Sequence, residues 1–140
     1  MLNDAATKAE ARFGMTTWIT VCDTCRVDGE QTEDETRAGT VLAGLIEAAA
    51  DGASADGTGV RTRRVSCLMG CAHGCNVAIQ AQGKLNYTLG RFTPDADTAR
   101  AIVDYALLHA DSPNGQVPYR TWPQGVKGHF VTRHPPLPKT

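Results

Sequence analysis

The stretch "VRTRRVSCLMGCAHGCNVAIQAQGKLNYTL", residues 60–89, decides the architecture. Its first part, "VRTRRVSC", reads as a strand ending at Cys67. Cys67, Cys71 and Cys75 then follow at four-residue intervals. Beyond them "NVAIQAQG" and "KLNYTLGRF" read as two short strands joined around Gly83-Lys84, a hairpin signal. Working outward, "TTWITVC" is β-branched and aromatic and predicts an earlier strand over roughly residues 16–22, ending at Cys22. Between the two leading strands, Thr32 and Glu35 form a capping box that predicts a helix start. Val41, Leu42, Leu45, Ile46 and Ala49 form its apolar stripe, and Gly52 is its expected C-terminal cap. After the hairpin, Thr93 is the expected cap of a second helix, with Pro94 at its first position and Asp95 and Asp97 in an acidic first turn. Its expected buried stripe is Ala99, Ile102, Val103, Ala106 and Leu107.

The order β-α-β-(cysteine segment)-β-β-α is that of a thioredoxin-like α/β sandwich. A helix between the first two strands allows a right-handed parallel crossover, and the last two strands pair as a hairpin. The expected organisation is a polar lead-in over 1–15, the thioredoxin-like domain over 16–110 and a Pro-rich extension over 111–140. Six of the seven prolines lie at position 113 or beyond, with Tyr119, Trp122 and Phe130 as aromatic anchors. That extension either wraps over the domain or grips a second subunit or partner protein.

A chain of 140 residues is one domain by size, long enough for a core without staples. A formal net charge of −1 argues against general nucleic-acid or anionic-membrane binding. No apolar run approaches a membrane span, and "MLNDAATKAEARFG" has no export signal, so the expected compartment is the reducing cytoplasm. There, an odd set of five clustered cysteines points to metal binding or redox chemistry rather than a disulfide framework.

Cys22 and Cys25 form a C-x2-C pair in "VCDTCR"; Cys67 and Cys71 form a C-x3-C pair. Parallel neighbouring strands place the ends carrying Cys22 and Cys67 on one edge, so the two pairs can converge into a four-thiolate site. Thiolates are soft ligands for zinc, copper(I) and iron–sulfur clusters. Thiol–disulfide exchange at "CDTC" is disfavoured, because no proline precedes Pro94 to face the pair and "RVDGEQTE" separates Cys25 from the helix. Structural zinc has less to do where two amphipathic helices and four strands already make a core. The chain has no C-x-x-C-H, which removes covalent haem. His73, in Cys71-Ala-His73, is expected beside the site or in exposed loop. Arg26 is expected near the site, whereas Arg61 and Arg63 are expected on a solvated strand edge. Backbone N–H groups of the Gly70–Gly74 turn are expected donors to sulfur. No catalytic Ser/His/Asp set, carboxylate pair or phosphate loop is visible, so independent turnover is not expected.

The segment "CLMGCAHGCNVAIQAQGKLNYTLGRFTPDADTARAIVDYAL" resembles the C-terminal half of thioredoxin-like [2Fe–2S] ferredoxins. Cys67 and Cys71 match their C-x3-C, Gly74 their turn glycine and Asn76-Val77 the start of their next strand; Cys75 stands where they commonly carry proline. Cys22 matches their strand-end ligand, but C-x2-C is tighter than their first pair. Cys25 is therefore the expected fourth ligand, with Cys75 its competitor. The whole chain is more similar still to a bacterial family of predicted metal-binding proteins, through "CDTCR", "CLMGCAHGC", "GKLNY" and "RHPPL". Members are often encoded with cobalamin-synthesis and cobalt-uptake genes. The resemblance implies a [2Fe–2S] electron carrier with an unidentified redox partner, possible as a homodimer like related ferredoxins. The alternative is a thiolate protein or metallochaperone for a cobalt or zinc ion.

Overall fold

The computed structural model describes residues 16–23, 38–53, 59–66, 68 and 74–138. The elements are β1 (Thr17–Cys22), α1 (Ala38–Ala53), β2 (Val60–Val65), β3 (Val77–Ala81), β4 (Asn86–Leu89), α2 (Ala96–Asp111), 3-10 turns at Tyr119–Thr121 and Gln124–Val126, and β5 (Phe130–His134). They build one five-stranded sheet in the order β2-β1-β3-β4-β5. β1 and β2 run parallel, with Thr17 opposite Val60 and Cys22 opposite Val65. β3 runs antiparallel to β1, with Val21 opposite Val77. β4 and β5 continue the antiparallel ladder. This is a thioredoxin-like α/β arrangement, with a fifth strand from the Pro-rich extension that the sequence pattern did not announce.

Both helices pack against β1 and β2 and against each other, so they share one sheet face. Ile19 and Val21 of β1 point into that layer, where Leu42, Ile46, Ile102 and Val103 are fully or almost fully buried. The stripe of α1 is rotated from the expected one. Leu42, Ala43, Ile46 and Ala50 are buried and Val41 is exposed, because the i, i+4, i+8 row faces the sheet. The expected Thr32/Glu35 cap lies outside the described residues. Gly52 is not a cap, since the helix runs on to Ala53. In α2 the cap falls at Asp95 rather than Thr93: its side chain accepts the Thr98 N–H, and the helix begins at Ala96. Asp95 is stronger in this role because its carboxylate also meets the positive helix end, and the Thr98 hydrogen bonds hold its carboxyl below the usual range.

At one end of the sheet, a polar knot ties the hairpin to α2. His109 is buried; its Nδ1 lies 2.8 Å from Thr17 Oγ1 and its Nε2 lies 2.7 Å from the Leu85 carbonyl. A carbonyl only accepts, so Nε2 carries the proton and Nδ1 accepts the Thr17 hydroxyl. Lys84 Nζ donates to the His109 and Ala110 carbonyls at 2.9 and 2.8 Å, satisfying the last turn of α2. Gly83, at φ 74, makes the turn that aims Lys84 inward. The extension is held by rings: Tyr105 of α2 meets Tyr87, Trp122 and Phe130 edge-on, at centroid distances of 6.1, 5.8 and 5.2 Å.

Candidate metal centre at the cysteine edge

The opposite end of the sheet gathers the C-terminal ends of β1, β2 and β4 and the start of β3. Cys22 closes β1, and its N–H donates to the Asn76 carbonyl at 3.1 Å. Asn76 directly follows Cys75, so the antiparallel register brings the backbone at Cys22 beside the segment that carries Cys75. Asp23 extends the parallel ladder by donating to the Val65 carbonyl at 3.0 Å. The Thr40 hydroxyl donates to the Asp23 carbonyl at 2.8 Å, pinning the start of α1 to the end of β1. β2 ends at Val65, opposite Cys22, two positions before Cys67.

Cys22 and Cys75 are buried thiols, 3% and 0% exposed. The two cysteines reach the edge differently. Cys22 is an ordinary strand residue. Cys75 sits in the left-handed region at φ 62, where a side chain costs roughly 1–2 kcal/mol relative to the right-handed region. A proline ring holds φ near −65°. The backbone here is therefore one that proline cannot adopt, and the match of Cys75 to a proline position does not extend to conformation. Gly74, the expected turn glycine, is buried, and its carbonyl accepts the Arg91 N–H at 2.9 Å. Arg91 is itself at φ 61. Two left-handed non-glycine residues thus flank one hydrogen bond at this edge.

Cys25, Arg26, Cys67, Gly70, Cys71 and His73 lie outside the described residues. Among the described residues no group of three or more His, Cys, Asp or Glu side chains converges. The described geometry is therefore the backbone of Cys22 beside the segment that carries Cys75, with β2 ending opposite Cys22.

The arginines before Cys67 have intramolecular partners. Arg63 Nε donates to Thr20 Oγ1 at 2.6 Å and its Nη2 to Gln80 Oε1 at 3.0 Å, across the sheet face away from the helices. Arg64 grips Glu47 of α1 with two bonds of 2.8 and 2.7 Å. That pair holds the Glu47 carboxyl below and the Arg64 guanidinium above their usual ranges, chiefly through the shared hydrogen bonds.

His129, which the sequence pattern did not single out, belongs to the same end. Its Nδ1 lies 2.9 Å from the Gly90 carbonyl, and its own carbonyl accepts the Gly90 N–H. Its ring stacks on Phe92 with centroids 4.4 Å apart. Nδ1 therefore donates, and Nε2 is left as the accepting atom. The signal that would have found it is β5, whose start carries His129 to Gly90.

No curated protein and no solved structure matches the chain. The model of a family described as a protein of unknown function, DUF1636, matches residues 19–136, and the chain belongs to that family.

Proposed function

We propose that the chain is a small iron–sulfur electron carrier that holds a [2Fe–2S] cluster at the cysteine edge of its sheet. The observation that carries the reading is the meeting of strand ends: Cys22 is hydrogen-bonded to the residue after Cys75, and β2 terminates opposite Cys22 just before Cys67. Four thiolates from such an edge suit the cluster, which supplies one-electron transfer when bound. Burial of Cys22 and Cys75 fits the donor set, because a shielded site keeps water from the sulfurs. In this reading Cys22, Cys67 and Cys71 are ligands, and either Cys25 or Cys75 is the fourth. Arg26, Gly70, His73 and Gly74 stand around the site. The chain's own contribution is to fix the thiolates on a rigid sheet end. The redox partner is a protein in the same reducing compartment, and the family resemblance points toward cobalt or cobalamin metabolism.

Protein purified without oxygen is expected to be red-brown, with about two irons and two sulfides per chain and a rhombic EPR signal after reduction. A colourless protein carrying stoichiometric zinc or cobalt overturns the proposal in favour of a thiolate metal-binding protein. Cys22→Ser is expected to abolish the colour. Comparing Cys25→Ser with Cys75→Ser then identifies the fourth ligand.

A further inference from the structure

We propose that the proline-rich segment after β5 of one copy seats in an aromatic cleft of a second copy, and reciprocally, so that the chain associates as a two-fold dimer. The proposal is independent of what the cysteines hold. The segment is "HPPLP", residues 134–138. Prolines 135, 136 and 138 fix their own φ, and each also restricts the residue before it to extended conformations. His134, Pro135 and Leu137 are those preceding residues, so nearly every position resists reversal. The segment therefore continues from β5 as a polyproline rod of about 12 Å, at about 3.1 Å per residue. Its one large apolar side chain, Leu137, is 92% exposed.

The same strand lines a receptor for such a rod. A cleft of about 520 Å³ is walled by Val117, Pro118, Tyr119 and Trp122 on one side and by β5 residues from Phe130 to Arg133 on the other. Its rings stand close: Tyr119 and Trp122 at 4.9 Å and Trp122 and Phe130 at 4.5 Å between centroids. Tyr119 is 62% exposed at its mouth. Ladders of aromatic and proline side chains are what proline-rich segments dock on, because the rod is already ordered and loses little entropy. Leu137, 92% exposed, does not sit in the cleft of its own chain. β5 is the sheet's edge strand, so a second copy can approach it. A two-fold axis beside β5 sets each rod against the other copy's cleft, so the two contacts are equivalent.

The test uses full-length protein and two substitutions at exposed positions, Leu137→Glu on the rod and Tyr119→Glu in the cleft. Sedimentation equilibrium of the unsubstituted chain is expected to show a dimer, and each variant is expected to weaken it by about tenfold or more. Mixing the variants is expected to restore part of the association, since an intact rod then meets an intact cleft in the mixed pair. Far-UV circular dichroism spectra equal to the parent's establish that neither variant is misfolded. A chain that stays monomeric at all concentrations overturns the proposal, and so does a dimer indifferent to either substitution. Loss of association in both variants without recovery on mixing also overturns it, because that marks a shared face rather than a rod in a cleft.

Discussion

Replacing Lys84 by methionine isolates what a buried ammonium does for this fold. Lys84 is 2% exposed, and its Nζ is the donor to two carbonyls of the last turn of α2, His109 and Ala110. Methionine keeps the unbranched stem and deletes the donor. The His109 carbonyl keeps the Ser112 N–H at 3.2 Å, so the main loss is the donor to the Ala110 carbonyl, at about 1–3 kcal/mol. Against that, the variant no longer has to bring a charge out of water, and this burial holds the Lys84 pKa below its ordinary value. The offset is partial, because the depressed pKa compares ammonium with neutral amine, and the amine still donates to both carbonyls. A net loss of about 1–2 kcal/mol follows, or about 5 °C in Tm at roughly 2–4 °C per kcal/mol. Differential scanning calorimetry of both proteins at pH 7.5 measures it. The pH dependence has the opposite sign. A lysine whose folded pKa is lowered carries a penalty at neutral pH that is relieved on approach to 10.5. Alkali therefore does not reproduce the methionine phenotype through this residue. A Lys84→Met Tm equal to or above the parent's refutes the reasoning, since desolvation would then outweigh both hydrogen bonds.

The partner residue His109 is held neutral: burial, with Lys84 nearby as a smaller cause, lowers its pKa from the ordinary 6.5. Its contribution is complete above pH 6.5 and drains as pH falls toward the folded value, at about 1.36 kcal/mol per unit. Urea midpoints at pH 7.5 and pH 5 are expected to differ less in His109→Gln than in the parent, and equal pH dependence contradicts this. Gly115 has φ 83, and a Cβ there would lie 2.8 Å from the Leu85 carbonyl oxygen and 2.9 Å from His109 Nε2. Gly115→Ala is expected to cost several times the ~1 kcal/mol of an unstrained surface change, read from the denaturation midpoint. Glu47→Ala removes the Arg64 pair, whose side chains are 37% and 38% exposed, and is expected to cost less than about 1 kcal/mol by the same assay.

How far the sequence could be read depended on the range of the forces involved. β1, β2 and the hairpin follow from alternation and turn chemistry that are local, and their bounds stand within three residues of expectation. The cap of α2 moved from Thr93 to Asp95, whose carboxylate adds its charge to the cap hydrogen bond at the positive helix end. β5 was not legible. Phe130–His134 sits among glycines and prolines, and it becomes a strand only because Tyr87, Tyr105 and Trp122 give Phe130 somewhere to pack. The role of His109 was not legible either; its partners Thr17 and Leu85 come from other elements, so no local pattern announces it. At the cysteine edge, strand ends were predictable and the conformation of Cys75 was not.

That conformation bears on why a cysteine stands at position 75. As a filler of the core, a thiol at φ 62 is a poor choice. Glycine adopts the same backbone without the roughly 1–2 kcal/mol that a Cβ costs there, and alanine would occupy the space without a reactive sulfur. A side chain kept in a sparsely populated region is over-determined by its surroundings, and such residues gather where a group must be aimed. The surroundings are visible: Gly74 before Cys75 is tied to Arg91, another left-handed residue, and Asn76 after it is tied to Cys22. Both hydrogen bonds survive substitution of the side chain, so they explain how the turn is held but not why it carries sulfur. "GKLNY", by contrast, is accounted for without chemistry: a left-handed turn glycine, a lysine on helix carbonyls, an asparagine accepting the Ala81 N–H at 3.0 Å and a core tyrosine. Packing and hydrogen bonding absorb that motif entirely. Cys75 instead brings a fully buried sulfur into the core on a left-handed backbone, at the end of the sheet where Asn76 meets Cys22 and where the proposed cluster requires a fourth sulfur.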